Sequence, residues 1–244
     1  MDLYSKYLSV VSKAEENSYF AKCGFVACNN TDDVNGNTML IGINPSVPFN
    51  NQYVPTPSYM HPFTSGSNAY FSKLCKYIPE GERESVGYLD LLPFYEQSQD
   101  TLLSNIRGHE AFIAPVIAVT QEEIENINPS LLILANKAVV PYFGALPDCV
   151  WMGYNFVQVA EEDLPQSIRE RNFDVRKIKG FRTDPKAQNE IIYRPADGIC
   201  KLKGTVVLFY RHSRGLSSEE ALSEQDYREL SQFAKEVKSI SKYH

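Results

Sequence analysis

The run Thr38-Met39-Leu40-Ile41-Gly42-Ile43 is short, apolar almost throughout, and stops abruptly at Asn44-Pro45. It opens just after the turn signal Asn35-Gly36. A continuous apolar run of this length reads as a strand buried on both faces, as in a parallel sheet, because a half-exposed strand would alternate with polar residues. Pro45 has no N–H for a ladder and pushes Asn44 toward an extended conformation. A polar side chain is thereby held stiffly at the carboxyl end of a buried strand, where open α/β sheets bind ligands.

Three further runs have the same character: Val86 to Leu92, stopped by Pro93; Ser130 to Ala135; and Thr205 to Tyr210. Helical periodicity fills the intervals. It predicts helices from about Asp2 to Phe20, from Ser67, from Leu102 to about Asn126 with a break at Pro115, and from Ser218, as the cap, to Ile240. A short helix through Phe143 follows the third strand, and Gly24 to Cys28 has the composition of a short strand. Strands alternating with helices predict an α/β fold, a three-layer α/β/α sandwich around a central, mainly parallel four-stranded sheet. The whole chain, 1–244, reads as one domain with an irregular insert at about 147–202. Patchy strand signals in that insert fall at Asn155 to Val159 and Ile191 to Arg194.

With 244 residues, 43% of them hydrophobic and 22% charged, the chain has the means to bury a sizeable core and lacks the signature of disorder. Five irregularly spaced cysteines fit neither a disulfide framework nor a metal motif, so no metal and no cofactor is expected. The acidic, amphipathic start Met1-Asp2-Leu3-Tyr4 does not resemble a signal peptide, and no apolar run has the length of a membrane span. The expected location is cytoplasmic, away from membranes.

The net charge of −6 argues against nucleic acid, but its distribution is uneven. Residues 165–214 hold twelve Lys/Arg and five Asp/Glu, a local balance of +7, while the rest carries twelve and twenty-five. Such a basic segment on an acidic body suits phosphate binding. Within the insert, Arg169, Arg171, Arg176, Lys177, Lys179 and Arg182 are the candidates for a nucleic-acid surface.

Set in chain order, four motifs resemble the uracil-DNA glycosylase superfamily, closest to its mismatch-specific uracil/thymine branch. Gly42-Ile43-Asn44-Pro45 matches the G-I-N-P motif. Pro62-Phe63 followed by Asn68-Ala69-Tyr70-Phe71 resembles that branch's P-F…N-R-F-W segment. Pro129 to Ala138 resembles the proline, apolar strand and turn of the family, with Ala135 in place of a glycine. His212 to Ser217 fits the closing histidine motif as H-S-R-G-L-S. The resemblance covers roughly residues 38–143 and 205–217.

This resemblance implies hydrolysis of the N-glycosidic bond of a flipped, damaged or mismatched base in DNA. Asn44 would orient the attacking water and His212 would donate to the departing base oxygen, an oxyanion-type role. Phe63 would stack on the base, with Ile43 and Asp90 also lining it. Ser46, Asn68, Arg214 and Ser217 would hold the nucleic acid. Two departures stand out. Ser213 replaces the proline after the closing histidine. Asp90 falls where several branches place an asparagine; ionised, it only accepts hydrogen bonds and would favour a base with an amino group. A catalytically silent binder of nucleic acid or protein, a hydrolase of free nucleosides and a nucleotide-binding α/β protein of another superfamily are the alternatives; no glycine-rich phosphate loop supports the last.

Overall fold

The computed structural model describes residues 1–14, 18–27, 37–45, 69–171, 173–184, 193–210 and 221–241. Its centre is one sheet of six strands: β1 (Thr38–Gly42), β2 (Gly87–Asp90), β3 (Leu131–Leu134), β4 (Tyr154–Gln158), β5 (Asp174–Phe181) and β6 (Val206–Phe209). Their order is β2-β1-β3-β6-β5-β4. The first four in that order run parallel. Every residue of β1, β2 and β3 is buried, as continuous apolar runs require.

The α/β class and its layered build are as predicted; the strand count is not. The sheet has six strands rather than four because the insert folds onto the outer edge of β6, with β5 antiparallel to β6 and β4 antiparallel to β5. These two strands face solvent on one side, so apolar residues are sparse: in β5 only Val175 and Ile178 are buried. A register shift between Asn155 and Phe156 further blurs the alternation. The predicted signal at Asn155 to Val159 falls on β4. At Ile191 to Arg194, Tyr193 and Arg194 belong to no strand, and the first two residues lie outside the described ones. In the stretch from Gly24, whose last residue Cys28 lies outside the described ones, Phe25 forms an antiparallel bridge to Phe94 in place of a strand.

Helices cover both faces. On one, α1 (Leu3–Val11) packs along α5 (Glu110–Ile127). The Tyr7 hydroxyl meets Thr120 Oγ1 at 2.8 Å, and Thr120 Oγ1 donates to the Leu91 carbonyl at 2.9 Å, tying α5 to the end of β2. On the other face lie α3 (Ala69–Leu74) and the C-terminal helix. The expected helix from Asp2 to Phe20 is two helices, capped by Asp2 and by Ser18, the second being α2 (Tyr19–Cys23). Leu8, placed in its apolar stripe, is 42% exposed.

The expected break at Pro115 is also misplaced. The chain breaks between α4 (Gln99–Ile106) and α5 at Gly108, whose φ of +84° suits glycine. Pro115 rides inside α5 near its N-terminal end, where its missing N–H removes a single helix bond. After β3, residues Lys137–Phe143 form a 3₁₀ helix capped by Asn136. The insert also holds α6 (Gln166–Glu170).

The C-terminal helix, α7 (Glu224–Ser241), starts at a capping box rather than at Ser218, which lies outside the described residues. Ser223 Oγ accepts from the Asp226 N–H at 3.1 Å, while Asp226 Oδ2 accepts from the Ser223 N–H at 2.7 Å. Its buried Tyr227, Leu230 and Ala234 turn toward β3 and β6.

The strand order sets the site. From β1 the chain crosses to β2 on one side, then returns to β3 on the other. The two crossovers part at the carboxyl end of β1, the switch point where open α/β sheets hold a crevice.

Candidate functional site

Asn44 stands at that switch point, two residues beyond β1. Pairing continues past the strands: the Leu91 N–H donates to the Gly42 carbonyl and the Leu92 N–H to the Ile43 carbonyl, each at 3.0 Å. The Glu96 N–H then donates to the Pro45 carbonyl at 3.2 Å. Against this braced loop the Asn44 amide is pinned. Its Nδ2 donates to the carbonyls of Glu96 at 2.8 Å and Pro45 at 2.9 Å, with Phe94 at 3.4 Å. Three carbonyls around one end identify that end as the NH₂. No donor among the described residues reaches Oδ1. The half-buried side chain thus has its donors spent on backbone carbonyls.

Ile43 is 3% exposed and belongs to the hydrophobic core, with its carbonyl bonded to Leu92. Its side chain packs into the core rather than standing exposed, so contact with a base would run through the backbone.

Asp90 ends β2 directly opposite Gly42 in the parallel register. It is 9% exposed, and Tyr88, two residues back on the same strand face, donates its hydroxyl to Asp90 Oδ1 at 2.8 Å. Burial raises the carboxyl to about 7; the bond from Tyr88 pulls the other way without overcoming it. A β-carbon on Gly42 would lie 2.2 Å from the Tyr88 hydroxyl oxygen and 2.3 Å from Asp90 Oδ1. The glycine of the G-I-N-P stretch therefore has a packing reason: the Tyr88–Asp90 pair occupies the space of its side chain.

Helix α3 closes this cluster. The Phe71 ring meets Tyr88 edge-on, with centroids 5.0 Å apart. Tyr70 hydrogen-bonds Tyr88, and its hydroxyl is raised above the usual tyrosine range by burial first and by the Asp90 charge second. Tyr70, Tyr88 and Asp90 form a hydrogen-bonded chain. Below it Tyr77 is buried with its hydroxyl unpartnered among the described residues, beside the rings of Tyr210 and Tyr227.

Glu96 completes the surroundings of Asn44. Its carboxylate accepts from the Tyr19 hydroxyl at 2.5 Å and from the Ser98 N–H at 2.9 Å. Burial works to raise it, but the Ser98 and Tyr19 bonds outweigh that and hold it below the usual carboxylate range.

Of the predicted site residues, Asn44, Ile43 and Asp90 come together at the carboxyl ends of β1 and β2. Ser46, Phe63, Asn68, His212, Arg214 and Ser217 lie outside the described residues. Tyr70, Tyr88 and Glu96 join Asn44, Ile43 and Asp90 without having been among the predicted site residues. A Tyr-x-Asp pair at alternate strand positions is visible in Gly87-Tyr88-Leu89-Asp90, but its partner Gly42 is set by strand register alone.

The basic insert is largely committed to the fold. Arg169 donates to the Leu164 carbonyl at 3.0 Å. Arg171 pairs with the buried Asp226 at 3.1 Å and donates to the Ala221 carbonyl at 2.8 Å. Arg176 pairs with Asp174 at 2.8 Å and sits over the Phe209 ring at 4.7 Å. Arg182 pairs with Asp184 at 2.9 Å and donates to the carbonyls of Leu146 and Pro147, both at 3.2 Å. Lys179 is exposed. Among the described residues no group of three His, Cys, Asp or Glu side chains is placed to hold a metal ion, and no helix is long and apolar enough to cross a membrane.

Compared with models of protein families and with curated proteins, the sequence matches none.

Proposed function

We propose that this chain hydrolyses an N-glycosidic bond, releasing a flipped, damaged or mismatched base from DNA in the manner of a uracil-DNA glycosylase, with Asn44 holding the attacking water. The observation that carries the reading is the Asn44 amide at the switch point, its donors taken and its Oδ1 met by no donor among the described residues. Its Nδ2 is consumed by backbone carbonyls, so Oδ1 is a fixed acceptor at the crevice. A water donating to that oxygen has its lone pair directed away from Asn44, toward an anomeric carbon. An amide is a weak base, so Asn44 positions the water more than it deprotonates it, and slow turnover follows. By the sequence resemblance, Phe63 stacks on the base and His212 donates to it. Ser46, Asn68, Arg214 and Ser217 hold the sugar-phosphate backbone.

The test is alkaline strand cleavage after incubation with oligonucleotides that carry uracil, hypoxanthine, xanthine, ethenocytosine or a G·T mismatch, single- and double-stranded. Cleavage at one lesion that Asn44→Ala abolishes supports the reading. Intact strands with every lesion refute it.

A second reading is a hydrolase of free nucleosides. The commitment of Arg169, Arg171, Arg176 and Arg182 to partners within the fold favours it, since those side chains then add little to a phosphate-binding face. Steeply salt-dependent DNA binding would speak for the nucleic-acid substrate. Release of base from free nucleosides without DNA binding would speak for the small one.

A further inference from the structure

The hydrolysis outlined above leaves the departing base to take up the bonding electrons of the broken C–N bond. Asp90 is placed to meet that charge. It lies one strand over from Asn44, at the same carboxyl edge of the sheet, at a depth set by its pairing with Gly42. Its two oxygens are not equivalent. Oδ1 accepts the Tyr88 hydroxyl and lies over Gly42. Oδ2 has no hydrogen-bond partner among the described residues. When the carboxyl is protonated, the bond from Tyr88 to Oδ1 leaves the proton on Oδ2.

We propose that Asp90 is the general acid that protonates the departing base. The inference rests on the N-glycosidic reading of Asn44. As the C–N bond breaks, its electron pair passes to the base, and a ring nitrogen or carbonyl oxygen of the base takes the Oδ2 proton. The water held by Asn44 adds its oxygen to the anomeric carbon and releases one proton to solvent. The Asp90 carboxylate then regains a proton from solvent. The products are a hemiacetal sugar and a neutral base, and no oxidant or further reactant is needed. The substrate class follows: bases whose anions are too basic to leave unaided, and which therefore depend on an acid.

The surroundings suit such an acid. Its own strand brings Tyr88 and α3 brings Tyr70, both neutral hydroxyls. The β1 residues beside it, Leu40 and Gly42, carry no charge, and no described Lys, Arg or His forms an ion pair with it. Burial without a counter-charge keeps the proton on the carboxyl up to about neutral pH, the range in which an acid catalyst works best.

The experiment is single-turnover release of uracil, hypoxanthine and 5-fluorouracil from oligonucleotides across pH, with wild type, Asp90→Asn and Tyr88→Phe. The wild-type rate falls by about tenfold per pH unit above neutrality. Asp90→Asn loses about a hundredfold or more on uracil and hypoxanthine, much less on 5-fluorouracil, whose anion leaves more easily, and its pH profile is flat. Tyr88→Phe moves the falling limb to higher pH, because the ionised carboxyl loses a donor. Equal losses on all three bases with an unchanged profile would mean that Asp90 only supports the fold. Wild-type rates in Asp90→Asn would also overturn the inference, while leaving the glycosidic reading intact. No release of any base by the wild type would remove both.

Discussion

Replacing Asp90 by asparagine should change how stability depends on pH, whatever the substrate. In the folded chain the buried carboxyl is raised from 3.8 to about 7. In the unfolded chain it returns to its ordinary value. Between these limits the unfolded state releases the Asp90 proton and the folded state keeps it, so rising pH favours unfolding. The stabilising contribution is complete below about pH 4, falls as pH climbs, and is gone once the folded carboxyl ionises near 7. The Asp90→Asn side chain has nothing to ionise, so its contribution is flat over this window. Each unit of pH is worth 1.36 kcal/mol, so between pH 4.5 and pH 8 wild type should lose about 3 kcal/mol relative to Asp90→Asn. For a chain of this size that is a relative shift in Tm on the order of 5–10 °C. Urea unfolding of both proteins at pH 4.5, 6, 7 and 8 measures it, and groups that titrate alike in both proteins cancel in the difference. Curves that stay parallel within about 0.5 kcal/mol would refute the claim that the Asp90 carboxyl is buried without a compensating charge.

Four other variants follow from the same geometry. Gly42→Ala places a β-carbon inside the Tyr88–Asp90 pair and should cost roughly 1–3 kcal/mol in urea unfolding, unlike an alanine at an exposed glycine such as Gly81. Asn44→Ala strips the donors from the Glu96 and Pro45 carbonyls and should cost about 1–2 kcal/mol by the same measurement. Asn44→Asp should be worse at neutral pH, because a carboxylate then faces carbonyl oxygens. Arg182→Gln, which leaves the Leu146 and Pro147 carbonyls and Asp184 without their guanidinium, should lower Tm by a few degrees; the salt dependence of DNA binding, read by fluorescence anisotropy, should not change.

The parallel half of the sheet was legible because its strands are buried on both faces, and burial of that kind writes itself as unbroken apolar runs such as Leu131-Leu132-Ile133-Leu134. β5 was not legible. In Asp174-Val175-Arg176-Lys177-Ile178 the apolar residues are three apart and charges fill the gaps, so the run matches no period. Gly108 and Pro115 compete as helix breakers in one stretch, and only the fold shows that glycine ends α4 while proline is carried near the start of α5. At the site, the Asn44-Pro45 stop was readable from local chemistry. The Tyr88–Asp90 contact over Gly42 was not, because it depends on the register between two strands more than forty residues apart in sequence. The commitments of the basic segment within the fold were not legible for the same reason: the partners of Arg171 and Arg182, Asp226 and the Leu146 carbonyl, are distant in the chain.

The most direct test of base excision at this site compares wild type with Asn44→Ala, read by alkaline strand cleavage on the lesion panel and supported by circular dichroism spectra showing both proteins folded. The predicted result is cleavage at one lesion by the wild type and its loss in the folded variant. Cleavage by Asn44→Ala at the wild-type rate would contradict the water-holding role given to Asn44, and uncut strands with wild type at every lesion would contradict base excision itself.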